Sequence, residues 1–234
     1  MIFDTLFKMT DKEIYEFVIK QLSVNGYTNI KRGPTFIGAQ GNIPIVLVVH
    51  LDTVFLDSTR PNMIIFYDQD KRVFWSPDGL GADDRAGVAM ILTLISETKL
   101  RPHLLFTTDE ESKSEGAYHA LPCLKHLFNN DVRYVIQLDR QGYKEAVYYN
   151  CFNKKFEDYI TSFGFETDFG TYTDISVLCP NWNIAGVNLS VGYYNEHSYV
   201  EHFFVNAWIY TYHRLIKMLE NVPDKTFKYK KKEK

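Results

Sequence analysis

Apolar residues fall along the chain in two periods. Continuous runs of strand length occupy 43–49, 103–107, 134–138 and 184–191. Uninterrupted runs of this kind suit strands covered on both faces. A helical period separates them. Residues 11–22 place Ile14, Phe17, Val18 and Leu22 on one face, with Thr10 or Asp11 as cap and Asn25-Gly26 as the stop. Residues 87–100 turn Val88, Ile91, Leu92 and Ile95 inward. Further helices are expected at 115–128, 156–163 and 174–178, with a long closing helix at 200–219. A short strand is expected within 30–39 and an outer strand at 146–151. Residues 63–75 carry two aromatic runs around Asp68-Gln69-Asp70, the pattern of a hairpin. Buried strands alternating with helices predict one α/β domain over 1–224 with a largely parallel central sheet. The lysine-rich tail, 225–234, is expected to be disordered.

Composition narrows the function classes. The net charge of −3 gives no footprint for nucleic acid. No apolar run reaches 18 residues, so no membrane span is expected. Residues 1–12 lack a basic region followed by an apolar one, so no signal peptide is read there. Cys123, Cys151 and Cys179 are too far apart for a CxxC motif; they suit reduced, buried thiols in a cytoplasmic protein.

In parallel α/β sheets, ligands bind beyond the carboxyl ends of the strands. His50 and Asp52, Glu110 and Glu111, Asp139, and His197 each follow an apolar strand run. Asp83 lies in the connection Pro77-Asp78-Gly79-Leu80-Gly81-Ala82-Asp83-Asp84, just before a helix. Each feature alone has an ordinary use. Aspartates cap helices, paired glutamates start solvated helices, and a lone histidine is commonly structural. As a series they read differently. Imidazole with carboxylate suits zinc, manganese or cobalt. So many carboxylates in one cleft would repel one another unless cations were present. Two divalent ions about 3.5–4 Å apart can share a bridging carboxylate and act on one carbonyl. A bridging group belongs on a stiff, close-packed loop, and Asp83, between Gly81 and a helix start, suits that role. His50 and Asp52 share a strand face, so Asp52 can fix the imidazole tautomer. Two adjacent glutamates can supply one ligand and one free base.

In order, His50-x-Asp52, Gly81-Ala82-Asp83-Asp84-Arg85-Ala86-Gly87, Asp109-Glu110-Glu111, Asp139 and Tyr194-x-x-His197-x-x-x-Glu201 resemble the co-catalytic di-zinc exopeptidases. That group includes peptidase T, glutamate carboxypeptidases, acylamino-acid deacylases and leucyl-type zinc aminopeptidases. The resemblance implies a three-layer α/β/α sandwich with a mixed, mostly parallel sheet. It implies two metal ions, zinc or else manganese or cobalt. His50 and Asp139 would hold one, Glu111 and His197 the other, and Asp83 would bridge them. Glu110 would be the general base, Asp52 would orient His50, and the Asp83–Asp84 peptide would be cis. Asp174 falls near the site without an assigned role.

Two departures are visible. Arg85 stands where the group usually has lysine, and the interval from Asp139 to His197 is too short for the lid domain of peptidase T. Contacts supplied by a lid would have to come from elsewhere, with Tyr172, Tyr193 and Tyr194 as candidates. The leading expectation is an aminopeptidase on short peptides. The alternatives are an N-acyl amino acid deacylase or carboxypeptidase, and a non-catalytic metal-stabilised binding module. Gly79-x-Gly81-x-x-Asp84 lacks the third glycine of a dinucleotide loop. The sequence leaves the oligomeric state open.

Overall fold

The computed structural model describes residues 2–231. In chain order its elements are α1 (Ile2–Phe7), α2 (Asp11–Val24), β1 (Ile30–Arg32), β2 (Phe36–Ala39), β3 (Ile43–His50), a 3-10 turn (Asp57–Asn62), β4 (Phe66–Asp68), β5 (Val73–Trp75), α3 (Ala82–Glu97) and β6 (Pro102–Thr107). They continue as α4 (Glu115–Ala120), α5 (Cys123–His126), β7 (Tyr134–Arg140), β8 (Glu145–Val147), α6 (Lys154–Thr161), β9 (Glu166–Asp168), α7 (Asp174–Trp182), β10 (Gly186–Ser190), β11 (Tyr193–Tyr194), β12 (His202–Phe204) and α8 (Val205–Glu220).

Eight strands form the central sheet in the order β1-β2-β6-β3-β7-β10-β8-β9. Its middle four, β6, β3, β7 and β10, run parallel. These are the four apolar runs of the sequence, and both their faces are covered. Along β3, Ile45, Leu47 and Val49 pack with Leu6, Ile14, Val18, Ile91 and Leu215. Val46 and Val48 face the other way, toward Ala117, Ala120, Cys123 and Leu178. The two-residue period thus divides the core into one layer under α1, α2, α3 and α8 and another under α4, α5 and α7. The result is the expected three-layer α/β/α sandwich. Four shorter strands form a separate antiparallel sheet, β11-β12-β5-β4. Between Asp139 and His197 the chain builds β8 to β11 with α6 and α7, and no separate lid domain, among the described residues.

Several local expectations are corrected. The strand expected in 30–39 is a hairpin, closed where Gly33 N–H donates to Phe36 O at 2.8 Å. The helix expected at 115–128 breaks at Pro122, which has no N–H to continue it. The strand at 146–151 stops at Val147, because Tyr149 and Asn150 take φ of 42° and 62°. It is also not outermost: β9 lies beyond it, an edge strand too polar to be seen in the pattern. The closing helix starts at Val205, since 202–204 pair with β5 instead.

The tail is corrected too. Phe227 N–H donates to Arg133 O at 2.9 Å, and Ala185 N–H donates to Phe227 O at 2.8 Å. The Phe227 ring packs on Tyr134, Phe156 and Tyr159. Aromatic residues alternate with lysines here, so Phe227 and Tyr229 turn inward while Lys228 and Lys230 face solvent. Residues 232–234 of the expected disordered tail lie outside the described residues. All three cysteines are buried and free. No helix among the described residues is long and apolar enough to cross a membrane.

Candidate active site and metal centre

The candidate residues collect at the carboxyl ends of the parallel strands, built around the start of α3. Gly81 adopts φ of 67°, and a Cβ there would lie 2.8 Å from Nη1 of the buried Arg60. Only glycine meets both conditions. Arg60 in turn donates to Leu80 O at 2.9 Å. Two residues on, Asp83 has φ −80° and ψ 103°, outside the helical region, and the Asp83–Asp84 peptide is cis as the resemblance implied. The adjacent carboxylates divide their work. Asp84 caps the helix, accepting Gly87 N–H at 2.9 Å, and its other oxygen accepts His50 N–H at 3.3 Å. Asp83 faces the cavity.

Each oxygen of Asp83 meets a different histidine. Oδ1 lies 3.1 Å from His50 Nε2, and Oδ2 lies 3.2 Å from His197 Nε2. A further carboxylate joins each pair. Asp139 Oδ1 is 3.4 Å from His50 Nε2, and Glu111 Oε2 is 2.9 Å from His197 Nε2. Two nitrogen–carboxylate clusters therefore share Asp83. Donor atoms of His50, Asp83 and Glu111, and separately of His50, Asp84 and Asp139, lie within 4.8 Å of one another.

The surrounding side chains hold these groups in place. His50 Nδ1 faces Asp52 O at 3.0 Å and Asp52 Oδ1 at 3.4 Å. The Asp52 carboxylate also accepts the N–H groups of Glu110 at 3.3 Å and Glu111 at 3.2 Å. One side chain thus steadies both the imidazole and the glutamate pair. Asp139 Oδ2 accepts from Thr173 Oγ1 and Gln137 Nε2, each at 2.9 Å, and Oδ1 accepts from Tyr193 OH at 3.1 Å. The carboxylate of Glu201, fully buried, accepts the N–H groups of Gly81 and Asp83.

The electrostatics call for positive charge. Burial alone would lower the His50 pKa, but the carboxylates of Asp139 first, then Asp52 and Asp83, override that and raise it well above the ordinary value. Hydrogen bonds to Asp83 and then Glu111 push His197 up to about 11. Burial acts to raise Asp83, yet the bonds from His197 and His50 hold it low. Burial pushes Glu110 up to about 7. Glu111 Oε1 is buried with no hydrogen-bond partner among the described residues. An orphaned carboxylate oxygen beside two imidazoles and a shared aspartate is a donor set that fits a pair of divalent cations. The cavity beside them has a volume of about 180 Å³ and is lined by Asp83, Glu110, Asp139, Tyr149, Glu196 and His197, among others.

Other residues are placed differently from the sequence expectation. Arg85 does not enter the cavity. It is fully buried and ties the N-terminal segment to the core, donating to Leu51 O, Met9 O and Asp11 Oδ1. Asp174 is buried against Thr107, and its other oxygen has no partner among the described residues. Of the tyrosines considered for substrate contacts, Tyr172 and Tyr193 line the cavity, whereas Tyr194 stacks on His202 with ring centroids 5.6 Å apart. Tyr149, Asn188, Gln137 and Thr173 are uncharged residues that no local motif points to: register places Gln137 and Asn188, the start of α7 places Thr173, and the turn after β8 places Tyr149.

No protein-family model and no curated protein matches the chain. Solved structures do. A tripeptidase from Staphylococcus aureus subsp. aureus Mu50 aligns with TM-score 0.72 at 13% identity, over 93% of this chain and 96% of that one. Aminopeptidase PepT from Bacillus cereus ATCC 10987 aligns with TM-score 0.68 at 15% identity, over 93% and 96%. An aminopeptidase from the archaeon Desulfurococcus kamchatkensis aligns with TM-score 0.71 at 12% identity, over 94% of each chain. The chain shares the fold of these tripeptidase and aminopeptidase structures.

Proposed function

We propose that this chain is a metal-dependent peptide hydrolase, and specifically an aminopeptidase acting on short peptides. The observation that carries this reading is the Asp83 carboxylate shared between two histidine–carboxylate clusters, with Glu110 beside it in the same cavity. His50 and Asp139 would hold one ion and Glu111 and His197 the other, with Asp83 between them. When bound, such a pair polarises a carbonyl and lowers the pKa of water.

The protein's own groups do the rest. As a carboxylate, Glu110 takes a proton from the attacking water. The water oxygen bonds to the carbonyl carbon, and the π pair of the carbonyl moves to its oxygen. Glu110 then passes the proton to the amide nitrogen as the C–N bond breaks, leaving a carboxylic acid and an amine. Asp52 holds Glu110 and Glu111 by their backbone N–H groups, so the base keeps its position through the cycle. Glu196 adds negative charge to the cavity wall, which suits a substrate with a free amino terminus.

A second reading has its own support. Arg140 also lines the cavity and would suit a substrate carboxylate, as in an acylamino-acid deacylase or a carboxypeptidase. It is already paired with Asp168 at 2.9 Å, which favours the aminopeptidase. A panel of free-amine di- and tripeptides against N-acetyl amino acids separates the two. Glu110→Gln is expected to keep its metal and lose about 10²–10⁴-fold in turnover. Near wild-type turnover in that variant would contradict the assignment of the base.

A further inference from the structure

Three tyrosines line the cavity with Asp83, Glu110 and His197, and their hydroxyls differ in their partners. Tyr193 OH donates to Asp139 Oδ1 at 3.1 Å. Tyr172 is half exposed. Tyr149 is buried, and its oxygen acts as an acceptor, receiving Asn188 Nδ2 at 3.1 Å. The orientation of Asn188 is fixed by backbone groups. Its Oδ1 accepts Asp139 N–H at 2.9 Å, and its Nδ2 also donates to Asp139 O at 2.8 Å. The Tyr149 oxygen therefore cannot be facing an acceptor at Asn188. No acceptor for its hydrogen occurs among the described residues.

A buried hydroxyl with an unused donor at the wall of a cavity has a partner to find. The local chain is shaped to put it there. Positive φ at Tyr149 and Asn150 ends β8 and turns the backbone. Gly170 leaves room for the ring, since a Cβ there would lie 3.0 Å from Tyr149 Cε1 and 3.2 Å from its hydroxyl. Burial also raises the phenol pKa, which keeps the hydroxyl in its donor form.

We infer that the Tyr149 hydroxyl donates a hydrogen bond to the oxygen of the scissile carbonyl as negative charge develops on it. This rests on the hydrolase reading above. No proton is transferred; the bond strengthens as the π pair moves to oxygen, which lowers the barrier. Asn188 is the positioning residue, fixing the hydroxyl relative to Asp139.

Tyr149→Phe keeps the ring and removes only the hydroxyl. In the zinc-loaded chain, metal content and melting temperature should stay at wild-type values while kcat falls about 10²-fold and KM changes less than about twofold. A binding measurement separates this inference from the hydrolase reading. The probe is a dipeptide analogue with a phosphinate in place of the scissile amide, titrated by calorimetry into both proteins. Wild type should bind it at least about tenfold more tightly than Tyr149→Phe, with equal affinities for a free amino acid product. If the peptide panel shows no turnover, the hydrolase reading fails and the inference falls with it; turnover by wild type alongside equal analogue affinity overturns the inference alone. Equal analogue affinity, a change confined to KM, or loss of metal or fold in Tyr149→Phe overturns the inference. So does failure of both zinc-loaded proteins to bind the analogue.

Discussion

Glu201 holds Asp83 from 118 positions away in sequence: its Oε1 accepts the Asp83 N–H at 3.0 Å while Oε2 accepts the Gly81 N–H at 2.6 Å. The carboxylate thereby fixes the segment that aims Asp83 at both histidines. Glutamine at this position would set an amide NH₂ against one of those N–H donors. Glu201→Gln is expected to cost about 1–3 kcal/mol of stability through the unsatisfied group. It should also lower metal content per chain. Denaturant unfolding and elemental analysis check the two effects, and wild-type values for both would contradict the role given to Glu201.

The proposed base sets the acid side of the pH profile. Glu110 works only when deprotonated, and burial raises it from 4.5 to about 7. Cations bound next to it favour the charged carboxylate and draw the value back down. Activity is therefore expected to fall as pH drops, with the midpoint of the limb in kcat/KM between 4.5 and about 7. A rate that stays flat below pH 4.5, with metal retained, would exclude Glu110 as the group that takes the proton.

The C-terminal segment is part of the fold. Phe227 packs on Tyr134, Phe156 and Tyr159 and pairs with the backbone of Arg133 and Ala185. Its ring is partly exposed, so Phe227→Ala should cost less than full burial would imply, about 2–3 kcal/mol. A chain ending at Asp224 should be destabilised by at least as much. An unchanged melting temperature in either protein would restore the disordered tail suggested by its lysines.

The sequence and the structure agree most closely where one physical pattern dominates. A strand covered on both faces must be apolar throughout, so β3, β6, β7 and β10 are plain in the chain. Charged groups just after such strands have one edge of the sheet to occupy, which is why His50, Glu111, Asp139 and His197 were legible without coordinates. Asp83 stands out as the cavity residue by its place between Gly81 and a helix start, whereas the contacts of Asp84 with the Gly87 and His50 N–H groups follow only from the folded backbone. The Glu201 clamp was invisible as a role because it depends on contacts across 118 positions. Tyr149 follows a register and a left-handed turn that no local motif announces, and β9 is a polar edge strand without apolar alternation. In the tail the lysines dominate the composition, and the inward turn of Phe227 and Tyr229 rests on an alternation too short to stand out beside them.

The central claim is a pair of cations joined through Asp83, and metal content per chain tests it most directly. Wild type and Asp83→Ala are purified without chelators, loaded with zinc and analysed for bound metal. The account predicts about two ions per wild-type chain and their loss from the variant, as a shared bridging carboxylate requires. A wild-type chain that retains no zinc, or a variant that binds as much as wild type, would contradict it.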